Sequence, residues 1–159
     1  MNSYDKRLLL LIIDDGDEAS DEAKGYDKIE ERFPGLFKIE RVWSWNSGKA
    51  AKAGQPLGVC RIMEQTFDLI LLDQIFQGQP DMGFDILWQI RSELKDFPDL
   101  SEQEREVAKS NKDVYVIGVS TEWERYADAD LAPNAWTPPN KCDPTELIKL
   151  IKQFLDNVG

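Results

Sequence analysis

Leu8 to Ile13 is an unbroken run of six aliphatic residues that stops on Asp14 and Asp15, and a second run, "FDLILLD", stops on Asp73 in the same way. A strand with one wet face alternates apolar and polar side chains. A run with no polar break has both faces covered, as in a central strand of a parallel sheet. Parallel neighbours need crossover connections, so helices must lie between such strands. A charge at the end of a buried strand costs several kcal/mol, to order of magnitude, unless something pairs with it. The same two runs therefore constrain the fold and pose the chemical question of what Asp14, Asp15 and Asp73 are for.

The remaining segments fit that frame. "DEASDEAKGYDKIEERF" has helix-forming composition with acids early, and Pro34-Gly35 ends it. "FKIERVWSW" alternates and carries β-branched and aromatic residues, so it reads as a second strand. A helix follows from about Leu57. "MGFDILWQIRSEL" places Phe84, Leu87, Ile90 and Leu94 near the helical period, and "VYVIGVS" is a further buried strand. "LAPNAWTPPN" must hold any fifth strand, which its prolines make short or an edge. "PTELIKLIKQFL" is an amphipathic closing helix with Leu147, Ile148, Ile151, Phe154 and Leu155 on one face. Strand alternating with helix gives an α/β fold with a parallel sheet, helices on both faces and right-handed crossovers, in one domain of 159 residues. The polar stretch near 95–113 reads as an insertion. Within it, Ser101 followed by Glu104 is a capping-box pattern that predicts a short helix from about Glu102 to about Lys109, on the surface with little burial. Trp43, Trp45 and Trp88 are most simply core or partial-core residues.

Absences narrow the chemistry. The chain has no histidine, which removes Ser-His-Asp and Cys-His nucleophiles and His-ligated zinc. Its two cysteines, Cys60 and Cys142, do not make a disulfide framework or a Cys-rich metal site. No Gly-rich phosphate loop follows any strand. The net charge of −11 disfavours nucleic acid and anionic membranes as partners. The aliphatic runs fall far short of the roughly 20 residues that span a bilayer. The expected compartment is the cytoplasm.

In open parallel sheets ligands bind outside the carboxyl ends of the strands. Strand one ends in Asp14 and Asp15, strand three in Asp73, strand four in Ser120 and Thr121, and Lys141 stands ahead of the last helix. Three carboxylates in one cleft repel one another and need a cation. An oxygen-only donor set favours Mg²⁺, which in turn accepts phosphoryl oxygens. A hydroxyl and a lysine across the cleft can hold other phosphoryl oxygens, leaving one carboxylate as a nucleophile.

The chain resembles the receiver domain of two-component response regulators over nearly its whole length. The matching motifs, in order, are "LLIIDDGDEASDEA", "DLILLD", "VIGVST" and "NKCDPTELIKLI". The resemblance implies a doubly wound, flavodoxin-like sheet of order 2-1-3-4-5. It implies that Asp73 accepts phosphate from a phosphohistidine on a histidine kinase or phosphotransfer protein. Asp15, Asp73 and the backbone carbonyl of Ile75 would bind Mg²⁺, with Asp14 in support. Ser120, or Thr121 beside it, would be the switch hydroxyl and Lys141 the lysine of the site. Such a domain is a signalling phosphoacceptor, not an enzyme on other substrates, and with no output domain after Leu155 it would act on partner proteins.

Some positions depart from the family pattern. Cys142 stands where proline is usual, Thr121 where Ala or Gly is preferred, and the loop "QIFQGQPDMG" is longer than usual. The aromatic switch has Trp136 as its nearest candidate, with Pro138 closer to the expected position. Thr121, the long loop and Cys142 support an alternative, a pseudo-receiver that binds proteins with little phosphorylation. A phosphatase of the haloacid-dehalogenase type needs a second acid two residues after the nucleophile, where this chain has Ile75.

Overall fold

The computed structural model describes residues 6–16, 18–45, 56–73, 82–119, 123, 131–138 and 143–158. The chain runs β1 (Leu8–Ile13), α1 (Glu18–Lys24), a 3-10 turn (Tyr26–Lys28), α2 (Ile29–Arg32), β2 (Phe37–Val42), α3 (Gly58–Glu64) and β3 (Leu69–Leu72). It continues with α4 (Met82–Arg91), α5 (Glu102–Ser110), β4 (Tyr115–Gly118), β5 (Ala135–Trp136) and α6 (Pro144–Val158). The five strands form one sheet in the order β2-β1-β3-β4-β5, and every pairing is parallel. The order is the flavodoxin-like one expected, and β5 is a two-residue edge strand, as its prolines require.

Alternation along the central strands explains why their sequences show no polar break. Leu11 and Ile13 of β1, with Ile70 and Leu72 of β3, face Val59, Ile62, Ile86, Leu87 and Ile90 from α3 and α4. Leu10 and Ile12, with Leu69 and Leu71, face Tyr26, Ile29, Leu147, Ile151 and Phe154 on the opposite side. Both faces are dry, so both sets must be apolar.

Register then sets the site. Ile13 pairs with Leu72, and Leu72 with Gly118. The ladder continues one step, Asp73 N–H donating to the Ile13 carbonyl at 3.1 Å and Val119 N–H to the Leu72 carbonyl at 2.9 Å. Asp14 and Asp73 therefore leave adjacent strands at the same level of the carboxyl edge. Trp123, fully buried, donates its indole N–H to the Leu72 carbonyl at 2.9 Å, which holds the strand end just ahead of Asp73.

Several elements differ from the sequence expectation. The single helix expected through Phe33 is broken at Gly25, whose φ of 95° is left-handed. The chain leaves α1, turns through Tyr26–Lys28 and restarts as α2. β2 stops at Val42, and Trp45 folds back as a fully buried side chain donating to Gln89 Oε1 at 2.6 Å. α4 stops at Arg91, three residues short of Leu94. Leu94 still enters the core because Glu93 and Leu94 take positive φ values of 61° and 56°. Of the three tryptophans expected to be core or partial-core, Trp45 is buried and Trp43 half-buried as expected, while Trp88 is exposed with Lys95 Nζ 5.0 Å from its ring centroid.

A helix, Glu102–Ser110, forms where the capping box placed it. Ser101 Oγ accepts from Glu104 N–H at 3.0 Å, and Glu104 Oε1 accepts from Ser101 N–H at 2.8 Å. Its expected lack of burial is corrected at one end. Ala108 is fully buried and α5 packs on α3. The next turn seats Asn111, also fully buried, whose amide donates to the carbonyls of Ile62 at 2.9 Å and Gln65 at 2.8 Å and accepts from Phe67 N–H at 2.9 Å. One side chain thus satisfies carbonyls at the end of α3 and the backbone leading into β3.

Candidate metal and phosphoryl site at the carboxyl edge

Asp14, Asp15 and Asp73 each bring one carboxylate oxygen within 4.8 Å of the others. Asp14 is fully buried, Asp73 nearly so, and Asp15 partly exposed. β1 delivers the first two and β3 the third, by the register above. Three such oxygens are close enough to share one cation, and without one their charges repel. The donor set is entirely oxygen, the chemistry that suits a hard divalent ion.

Asp14 is held from three directions. Gly16 N–H donates to its Oδ1 at 2.8 Å; Lys24 Nζ, at 2.6 Å, and Tyr26 Oη, at 2.7 Å, both donate to its Oδ2. Lys24 Nζ also lies 3.6 Å from Asp73 Oδ2. Arg41 closes the far side. Its guanidinium donates to Asp21 Oδ1 at 2.9 Å and to the Gly16 carbonyl at 3.2 Å, and it sits 5.6 Å from the Tyr26 ring centroid and 4.8 Å from that of Trp43. Its Nε and one terminal nitrogen are buried without a hydrogen-bond partner among the described residues. The two ring faces supply the electrostatic contact there.

Burial, and then the Asp14 charge beside it, push the Tyr26 hydroxyl well above its ordinary value of 10.0. The sign follows by linkage. Above pH 10 the unfolded chain gives up this proton while the folded chain keeps it, so the stability Tyr26 contributes is complete below that pH and lost progressively above it. Urea unfolding of the wild type is expected to show a steeper loss of stability above about pH 10 than Tyr26→Phe, which has no proton to release. At neutral pH the same variant is expected to be less stable by roughly 1.5–3 kcal/mol, the worth of a hydrogen bond to a charged acceptor. Parallel alkaline slopes for the two proteins would show that folding does not hold the Tyr26 proton.

Of the site residues read from the sequence, the structure brings Asp14, Asp15 and Asp73 together. Ile75, Ser120, Thr121, Lys141 and Cys142 lie outside the described residues. Trp136 is half-buried on β5, paired in register with Gly118, and Pro138 follows at the end of that segment. Lys24 and Tyr26 were not singled out by sequence reasoning. Their signal was Gly25 between them, a helix breaker inside an otherwise helical pattern.

No protein-family model matches the chain, and no curated protein sequence does. Solved structures do match. Vibrio cholerae chemotaxis protein CheY4 aligns over 93% of this chain and 98% of its own, with 14% identity and a TM-score of 0.55. A CheY-like response regulator receiver domain protein from Methanospirillum hungatei aligns over 95% of each, with 18% identity and a TM-score of 0.52. The receiver domain of sensor histidine kinase PA1611 from Pseudomonas aeruginosa, solved with a magnesium ion coordinated in its active site cleft, aligns over 94% of this chain and 98% of its own, with 15% identity and a TM-score of 0.51. With the strand order and the acidic edge, these likenesses identify the fold of this chain as that of the CheY-like receiver domains of response regulators.

Proposed function

We propose that this chain is a phosphoacceptor in two-component signalling, taking a phosphoryl group onto Asp73. The observation that carries the reading is the convergence of Asp14, Asp15 and Asp73 within 4.8 Å at the carboxyl edge of the sheet. In the reaction a carboxylate oxygen of Asp73 attacks the phosphorus of a phosphohistidine on a kinase or phosphotransfer protein. The P–N bond breaks, its electrons leave with the imidazole, and an acyl phosphate remains. Asp15 and Asp73, with Asp14 in support, would hold Mg²⁺, together with the carbonyl of Ile75. Bound there, the ion supplies charge neutralisation for the phosphoryl oxygens. Ser120 or Thr121 and Lys141 are the remaining phosphoryl contacts we assign. In this role the chain would act in the cytoplasm by changing shape toward partner proteins, not as an enzyme on other substrates. Among the described residues no helix is long and apolar enough to cross a membrane.

The Lys24 contacts favour one second reading, a pseudo-receiver that binds proteins, with a cation of its own already in the acidic pocket. Incubation with acetyl phosphate and Mg²⁺, followed by intact mass measurement, separates the two. Gain of one phosphoryl group supports the acceptor; an unchanged mass, at Mg²⁺ concentrations that saturate the site, supports the binding module.

A further inference from the structure

Lys24 is the last residue of α1, and the break at Gly25 fixes its direction. Its ammonium lies 2.6 Å from Asp14 Oδ2 and 3.6 Å from Asp73 Oδ2, and its side chain is only 16% exposed. Asp14 already accepts from Gly16 N–H and Tyr26 Oη. With Lys24 added, three donors occupy its oxygens, and little capacity is left on Asp14 for a metal. The same ammonium faces the carboxylate that the reaction uses.

We propose that Lys24 is a built-in counter-cation of the acidic pocket, a positioning residue that competes with the divalent ion for Asp14 and Asp73. The inference rests on the Mg²⁺ site proposed above. With no metal bound, Lys24 offsets the repulsion between the carboxylates and keeps the pocket formed. For a metal to load, Lys24 must be drawn off Asp73 or remain as a like charge beside the incoming ion. Lys24 thereby sets the Mg²⁺ concentration at which the site fills, and a charge change on α1 retunes it.

The test uses the full chain as wild type, Lys24→Met and Lys24→Arg. Methionine keeps most of the apolar stem and removes the charge; arginine keeps the charge. Calorimetric Mg²⁺ titration at low ionic strength is expected to show about tenfold tighter binding for Lys24→Met, as removal of a unit charge at this range in a partly buried site implies. Lys24→Arg is expected to stay within about threefold of wild type, because it conserves the charge. Thermal melts give the second readout. Without Mg²⁺ the methionine variant should melt below wild type, and Mg²⁺ should raise its midpoint by more than it raises that of wild type. Wild-type binding with unchanged or weaker binding by Lys24→Met overturns the competition while leaving the metal site standing. No Mg²⁺ binding by any of the three proteins overturns both.

Discussion

Asp73→Asn is expected to gain no phosphoryl mass from acetyl phosphate and Mg²⁺ under conditions that label the wild type. The carboxylate at the end of β3 is replaced by an amide of nearly the same shape. Amide oxygen and nitrogen are poor nucleophiles, so the bond to phosphorus does not form. The backbone that positions residue 73 is untouched, since its N–H donates to the Ile13 carbonyl and the Leu72 carbonyl accepts from Val119 and Trp123 whatever the side chain. The substitution removes one of three mutually repelling charges, and Lys24 keeps its closer partner, Asp14. The variant should therefore melt no lower than wild type in the absence of Mg²⁺. That pairing of lost labelling with retained stability is what distinguishes a nucleophile from a structural carboxylate. Equal labelling of the two proteins would move the acceptor to another residue.

The parts of this site that could be read from the sequence are those the strands deliver. Asp14, Asp15 and Asp73 follow aliphatic runs, and a charge terminating such a run has few structural explanations, so both the strands and their ends were legible. The Ser101–Glu104 box was legible because capping is local chemistry. Lys24 and Tyr26 were not, since their partner Asp14 lies 10 and 12 residues away along the chain and no local pattern names it. Their roles come from the turn at Gly25, which swings a helix end over the sheet edge. Asn111 illustrates the same limit. As a sequence feature it is a helix boundary, whereas in the fold it joins α5 to the end of α3 and to the backbone leading into β3 through three hydrogen bonds that only tertiary packing brings together. Leu94 fitted the helical period and reached the core by a different backbone path.

Gly25→Ala is expected to cause a large loss of stability. Two effects act on the same atom. The φ of 95° lies where a Cβ is disfavoured, and the added carbon would stand 2.5 Å from Pro144 Cα and 2.8 Å from Pro144 Cβ. The first contact is with backbone at the start of α6, so no side-chain rotation relieves it. The left-handed conformation costs a non-glycine residue about 1–2 kcal/mol, and forced overpacking adds about 1–3 kcal/mol. Gly35 separates these terms. It too has a positive φ, 73°, but an added Cβ meets no atom of the described residues within 4 Å, so Gly35→Ala reports the conformational cost alone. Denaturant unfolding is expected to place Gly35→Ala about 1 kcal/mol below wild type, and Gly25→Ala lower again by about 2 kcal/mol for the clash with α6. The residues on either side, Lys24 and Tyr26, both end on Asp14 Oδ2. Displacing the turn therefore loosens the grip on that carboxylate, and Mg²⁺ affinity should change in Gly25→Ala while remaining at the wild-type value in Gly35→Ala. Equal stability losses in the two variants would show that α6 yields to the methyl group, and an unchanged Mg²⁺ affinity in Gly25→Ala would show that the turn does not govern the acidic edge.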